Sequence, residues 1–375
     1  MPTLSRVEAL ARSGLFLLVL AAPLLGTVGS PTATRSTTEQ RALAAAPALP
    51  RSAAGWRALS AALSAWFDDH FGLREPLIRL NRGLVQALGM GTPASIPVME
   101  GADGWLYFTG DGSTDDFRGR RRLSDRELAA WAAELTRRQR WLAERGIAYL
   151  FVIVPNKQSV YPEFLPDWLQ AQRGESRADQ LVRHLAAHTG APVLDLRPAL
   201  LLEKGAAPLY RKTDSHWNAR GADVALHHIR TALALTAHLT LPAWEALAWE
   251  SDVGAGGDLA RMLGRAGAIE TLPVRRSAAP RCRMNVLGTA RADITRGAAL
   301  VDECPAGALP ALVFRDSFMN RLRPMLSPAF RRTVYLWQQP DGCEFEQAVL
   351  RHRPQVVIEQ RVERFLDPPR MASCP

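Results

Sequence analysis

A chain of 375 residues with 47% hydrophobic content can bury a full core, as one large domain or two ordinary ones, and is not a disordered segment. Its net charge of +9 comes almost wholly from arginine, Lys157, Lys204 and Lys212 being the only lysines. The arginines are scattered rather than gathered in a tract, which argues against a nucleic-acid surface and leaves room only for weak attraction to acidic polymers or anionic lipid.

Arg6 and Arg12 precede an uncharged apolar run from Leu15 to Val28, the pattern of an export signal. The run falls short of the ~20 residues of a comfortable membrane span, contains Pro23, and leads into no clear small-x-small cleavage site. Residues 1–30 are therefore read as a signal peptide or membrane anchor, with the uncleaved anchor preferred and its arginines on the inner side. Residues 31–54, rich in Ser, Thr, Ala and Pro without a clean period, read as a linker, and the folded domain is placed at 55–375. Trp56 to Leu88 carries the apolar spacing of amphipathic helices, interrupted at Phe71-Gly72 and Pro76. Gly101 to Phe108 reads as a turn feeding an aromatic strand.

From residue 124 helices alternate with buried strands. Ser124 and Asp125 open a helix reaching Arg145, with Glu127 as its capping-box acid. The continuous apolar run Ala148 to Val154 is the pattern of a strand buried on both faces. A helix at Ala178 to His188, a strand at Pro192 to Leu196 and a helix opening near Asn218 follow. Three later strands are placed at Ala311 to Phe314, Thr333 to Trp337 and Gln355 to Glu359. Such alternation predicts an α/β fold whose parallel sheet is covered on both faces and holds ligands at the carboxyl ends of its strands. Residues 240–310, with glycines at 254, 256, 257, 264 and 267, break the rhythm and are read as an insertion or lid. Cys282, Cys304, Cys343 and Cys374 show no CxxC or Cys/His metal spacing, so no zinc site is expected. Three pairings are open to them, of which Cys282 with Cys304 ties one short excursion; unpaired buried thiols are the alternative.

Two segments carry chemistry. Thr213 to Ala222, TDSHWNARGA, places Asp214 and His216 two apart, which in an extended segment puts both on one face. An aspartate there can accept the imidazole Nδ1 proton and leave Nε2 free to deprotonate a hydroxyl, although a cap or satisfied core histidine fits the same residues. In VFRDSFMNRL, Val313 to Leu322, a strand runs into a turn bearing Asp316 and Ser317 and then a helical stretch. A serine so placed suits a nucleophile with turn amides as oxyanion donors, and equally suits a plain helix N-cap. Lys157 and Tyr161 follow a strand end and serve as sugar contacts or as structure; Trp105, Tyr107, Trp168 and Trp217 offer a stacking platform or core.

These segments resemble a known family. TDSHWNARGA, RDSF at 315–318, VPNKQSVYPEFLP at 154–166, DGWLYF at 103–108, EQRALAAAP at 39–47 and FDDHFGLREPLI at 67–78 are similar to the alginate O-acetyltransferase family of AlgJ and AlgX. The resemblance implies an SGNH-hydrolase-like three-layer fold with a mostly parallel central sheet and permuted motif order, the Asp-x-His motif ahead of the serine. It implies Asp214, His216 and Ser317 as a catalytic triad, and periplasmic transfer of acetyl groups to exopolysaccharide hydroxyls. It further implies a membrane-bound O-acyltransferase partner that supplies acetyl, a polysaccharide acceptor, a polysaccharide secretion complex, and no metal or cofactor. Arg315 stands where SGNH proteins have glycine; it either donates to substrate or points to solvent. An acetylesterase using the same triad with water, and a non-catalytic polysaccharide-binding or assembly protein, are the alternative functions.

Overall fold

The computed structural model describes residues 96–237, 239, 241, 249–265, 267–274, 282–286 and 299–370, with 12–14, 16–18, 21, 43–49, 52–74, 76–77 and 80 toward the N-terminus. Most of the apolar run Leu15 to Val28, most of the linker, residues 81–88 of the early helical stretch, and Cys374 lie outside the described residues. No helix among the described residues is long and apolar enough to cross a membrane. The chain divides into two compact units, Met1–Ile96 with Arg261–Ala266, and Pro97–Ala260 with Gly267–Pro375. In the first, helix α1 (Ala53–His70) stacks Trp66 on His70 one turn on, the i,i+4 neighbour relation of a helix.

The second unit is built on a seven-stranded sheet. Its strands are β3 (Ala148–Val154), β4 (Val193–Asp195), β7 (Arg283–Val286), β8 (Leu300–Glu303), β9 (Pro310–Phe314), β10 (Arg332–Leu336) and β11 (Val356–Val362), in the order β4-β3-β11-β9-β10-β8-β7. Every pairing from β4 to β10 is parallel, and β8 and β7 add antiparallel pairings at one edge. Two small hairpins stand apart, β1 (Val98–Glu100) with β2 (Leu106–Phe108), and β5 (Glu250–Ala255) with β6 (Ile269–Val274). Segment 240–310 thus contributes both a separate hairpin and two strands of the main sheet.

Period-two alternation divides each strand between two cores. Leu150, Val152, Val154, Val313 and Ile358 join Leu226, Ile229, Leu322 and Leu326 on one face. Tyr149, Phe151, Ile153, Leu312, Phe314 and Val357 join Trp131, Leu135, Leu181 and Phe345 on the other. At roughly 1.5–3 kcal/mol for each fully buried large apolar side chain, both faces must be covered for the sheet to persist. Helices α2 (Asp125–Ala143), α3 (Arg177–His188) and α6 (Gly342–His352) cover the second face, and α4 (Ala219–Ala237) with α5 (Met319–Leu326) the first. The result is the three-layer α/β arrangement expected.

Helix starts follow the sequence signals. Glu127 and Ser124 form the reciprocal capping box, and Asp179 with Ser176, and Glu344 with Asp341, repeat it. Strand β11 runs three residues past the expected Glu359. Glu359 and Arg361 look like a strand terminus in sequence, but they pair with each other and Glu359 also accepts from Arg138, so the strand stays buried. Cys282 is bonded to Cys304, and Cys343 is also in a disulfide.

Candidate active site

Asp214 and His216 sit on a loop pinched shut at its base. Tyr210 and Trp217 form an isolated antiparallel bridge, and the Asn218 amide donates to Leu209 O at 2.8 Å. The segment bends rather than runs extended as the spacing suggested, because one Asp214 oxygen serves two donors of His216. Oδ1 accepts the His216 backbone N–H at 3.1 Å and lies 2.7 Å from Nδ1. Asn218 Oδ1 accepts the amides of Arg220 and Gly221, fixing the start of α4 directly after the loop.

Ser317 arrives on the turn between β9 and α5, as its strand-turn-helix pattern indicated. The turn is held by Asp316, whose Oδ1 accepts from Phe318 N at 2.9 Å and Gln360 Nε2 at 2.8 Å, while Oδ2 accepts from Val362 N at 2.7 Å. None of residues 315–318 has a positive φ, so the turn makes no demand for glycine at 315. Ser317 Oγ lies 2.7 Å from His216 Nε2. Phe318 packs against the imidazole with ring centroids 4.8 Å apart and accepts the Trp217 indole N–H through its carbonyl.

The three residues offered as sugar contacts lie inside. Arg315 is 2% exposed, lies over Trp337 and donates to Asn320 Oδ1 at 2.7 Å, so it does not point to solvent. Lys157 is 2% exposed, and its ammonium donates to the carbonyls of Leu106, Lys212 and Asp214 at 2.6, 2.8 and 3.0 Å. The Tyr161 ring stacks on Trp105, and its oxygen accepts the Leu209 amide at 2.7 Å. Trp105, Tyr107 and Trp217 are likewise core, whereas Trp168 is exposed.

Charge around Asp214, His216 and Ser317 is asymmetric. Burial pushes the Asp214 carboxyl up, but its hydrogen bond to His216, the histidine's charge and Arg211 hold it well below the usual carboxylate range. Burial pulls the His216 imidazole down, and the bond to Asp214 with the charges of Asp214 and Asp258 more than offsets it, leaving it above its ordinary value. Two acids absent from the sequence reading complete the surroundings, Asp258 and Glu270 from the 240–310 segment. Asp258 accepts from the Ser215 amide and hydroxyl, and Glu270 from the Thr213 hydroxyl. No motif marks them, since they stand more than forty residues from the loop they contact. Donor atoms of Asp214, His216 and Asp258 fall within 4.8 Å of one another. Both His216 nitrogens are engaged by Asp214 and Ser317, so the cluster reads as a hydrogen-bonded acid–base set rather than as ligands. A groove of about 540 Å³ lined by Arg137, Arg140, Trp141 and His188 shares no residue with this cluster.

Comparison with known proteins follows this geometry. Residues 98–308 match the family described as "SGNH hydrolase-like domain, acetyltransferase AlgX"; Ser317 lies just beyond the match. The chain is 29% identical over 191 residues, 49% of its own length and 46% of the relative's, to the "Probable alginate O-acetylase AlgJ" of Pseudomonas aeruginosa. It is 26% identical over 184 residues, 47% and 44% of the two lengths, to the protein of the same description from Azotobacter vinelandii. The chain spans about half the length of the curated relatives it matches. Among solved structures, Bacillus cereus PatB1 superposes with a TM-score of 0.50 at 16% identity over 72% of this chain and 97% of that one, a likeness of fold alone.

Proposed function

The chain belongs to the family of AlgX-type SGNH hydrolase-like acetyltransferase domains, and on that premise we propose that it is a periplasmic O-acetyltransferase acting on an exopolysaccharide through an acetyl-Ser317 intermediate. The observation that carries the reading is the unbroken chain Asp214 Oδ1, His216 Nδ1, His216 Nε2, Ser317 Oγ, with both hydrogen bonds 2.7 Å. In the first half-reaction His216 Nε2 takes the Ser317 proton while Oγ attacks the donor's acetyl carbonyl; the tetrahedral adduct collapses, and the leaving group departs with that proton. In the second, a sugar hydroxyl gives its proton to Nε2 and attacks the acetyl-serine carbonyl. Collapse frees the acetylated sugar, and Ser317 Oγ recovers the proton. Asp214 holds the imidazole tautomer and stabilises the imidazolium formed in each half. No bound metal or cofactor enters either step.

The Asp-x-His motif ahead of the serine is the permuted order that the resemblance to AlgJ and AlgX implies. The N-terminal apolar run delivers the domain across the inner membrane and keeps it there, and a membrane-bound O-acyltransferase supplies acetyl from the other side. The acceptor is an alginate-like or other cell-surface polymer, met within a secretion complex. Incubation of the purified protein with a chromogenic acetyl ester, with and without oligosaccharide, tests the reading. Acetylated oligosaccharide is expected, and Ser317→Ala or His216→Ala should lower turnover on the order of 10³-fold or more. Hydrolysis indifferent to sugar would make the protein an esterase, and a folded Ser317→Ala protein that still acetylates would remove the triad.

A further inference from the structure

The loop bearing Asp214 and His216 is held almost residue by residue by a segment that follows it by more than forty positions. Thr213 Oγ1 accepts the Gly257 amide at 2.9 Å, and Thr213 O accepts the Ala260 amide at 3.1 Å. Glu270 on β6 accepts from the Thr213 hydroxyl and the Lys212 amide and faces Arg211. Arg211 donates to Ala255 O at 2.6 Å. At the centre stands Asp258. Its Oδ1 accepts the Ser215 amide at 2.7 Å, its Oδ2 accepts the Ser215 hydroxyl at 2.6 Å, and its own amide donates to Asp214 Oδ2 at 3.2 Å. A Cβ on Gly257 would stand 2.3 Å from Asp214 Cβ and 2.6 Å from Asp214 Oδ2, so the close approach needs glycine there.

We infer that Asp258 is a positioning residue of the triad, a second carboxylate that orients Asp214 and His216 and stabilises the imidazolium from beside Nδ1. Two features assign this role. The Asp258 amide takes Asp214 Oδ2, which leaves Oδ1 to face Nδ1 and fixes which oxygen orients the imidazole. Asp258 Oδ2 itself lies 3.5 Å from Nδ1, so when Nε2 takes the Ser317 proton the Nδ1–H of the resulting imidazolium faces two acids. Asp258 meets only donors at its carboxylate, the Ser215 amide and hydroxyl and the Leu259 amide, the environment of the ionised form. Burial first, then the charge of Asp214, raises its proton affinity, consistent with two carboxylates sharing one imidazole. The remaining charged groups acting on this set are Arg364 on His216, Arg211, Glu270 and Lys157, and Arg321 on the exposed side of α5.

The inference rests on the triad reading, so Ser317→Ala is measured beside the variants, on the full chain with an acetyl ester across pH. Asp258→Asn keeps the size and an acceptor for the Ser215 amide but removes the charge. Its kcat should fall roughly 10- to 100-fold, the scale of a misplaced catalytic group, with KM for the ester little changed. The acid limb of kcat/KM should move to lower pH, because the imidazolium loses a neighbouring anion. Asp258→Glu, which keeps the charge, should leave the limb near its original position, and it serves as the informative variant if Asp258→Asn does not fold. Loss of kcat with an unmoved acid limb would reduce Asp258 to a structural brace and overturn the inference, as would wild-type kcat in Asp258→Asn. Activity surviving Ser317→Ala would instead overturn the triad.

Discussion

Lys157 shows how much of the site is maintained by groups buried behind it. Its ammonium joins the carbonyls of Leu106, Lys212 and Asp214, tying the β1–β2 hairpin to the loop that presents Asp214 and His216. Burial lowers its pKa to about 7 against the pull of the Asp214, Asp258 and Glu270 charges, and the rings of Trp105 and Tyr107 lie close by. Lys157→Met preserves length and removes every donor; the Lys212 carbonyl keeps the Leu106 amide, while those of Leu106 and Asp214 lose the ammonium. The fold should lose on the order of 2–3 kcal/mol, read by denaturant midpoint, and kcat should fall more than KM changes. Unaltered stability would mean that water replaces the ammonium. At this scale the sequence showed what was local: Asp214 and His216 sit two apart, and Ser317 follows a strand directly. Asp258 and Glu270 were illegible because their meaning depends on a tertiary approach through Gly256-Gly257. Lys157, Tyr161 and Arg315 were visible as polar residues near strand ends, but which way each points is set by packing that no motif records.

Among the elements, the strands were legible where apolar residues run without interruption, as in β3 and β9, and less so where charge intrudes. Strand β11 carries Glu359 through the centre of the molecule, where Arg138, Arg361 and the Tyr149 hydroxyl surround it. Burial pushes the Glu359 carboxyl up, but the two guanidinium charges bring it down to about 2. Folding therefore gains in full from this carboxylate above the value of the unfolded chain, about 4.3, and that gain disappears as pH falls toward about 2. Glu359→Gln should cost roughly 3–5 kcal/mol at pH 7, the scale of breaking a buried pair and stranding its partner. The difference from the parent should shrink steadily below about pH 4, read by urea unfolding at pH 7, 4 and 3. A pH-independent difference would assign the loss to shape rather than charge. Strands β7 and β8 escaped the sequence reading because glycine-rich surroundings and mixed polar residues hide a short edge strand.

For the molecule as a whole, the disulfides are where fold and compartment meet. Arg283 opens β7 opposite Glu303 at the end of β8, so Cys282 and Cys304 flank that register pair and their bond closes the open end of the edge hairpin. Among the described residues no cysteine is free, an arrangement suited to the oxidising side of a membrane. A cross-link over a sequence separation of 22 residues removes unfolded-chain entropy worth about 3 kcal/mol. In a chain of this size that corresponds to a melting shift of roughly 4 °C. Replacing Cys282 and Cys304 together with serine should lower Tm by that amount and remove part of the shift that dithiothreitol causes in the parent, the Cys343 disulfide supplying the rest. Protein made in a reducing cytoplasm should melt no higher than the double variant until it is oxidised. A double variant that melts with the parent would show that the edge hairpin holds without its cross-link, and would leave the apolar N-terminal run as the sole sequence argument for export.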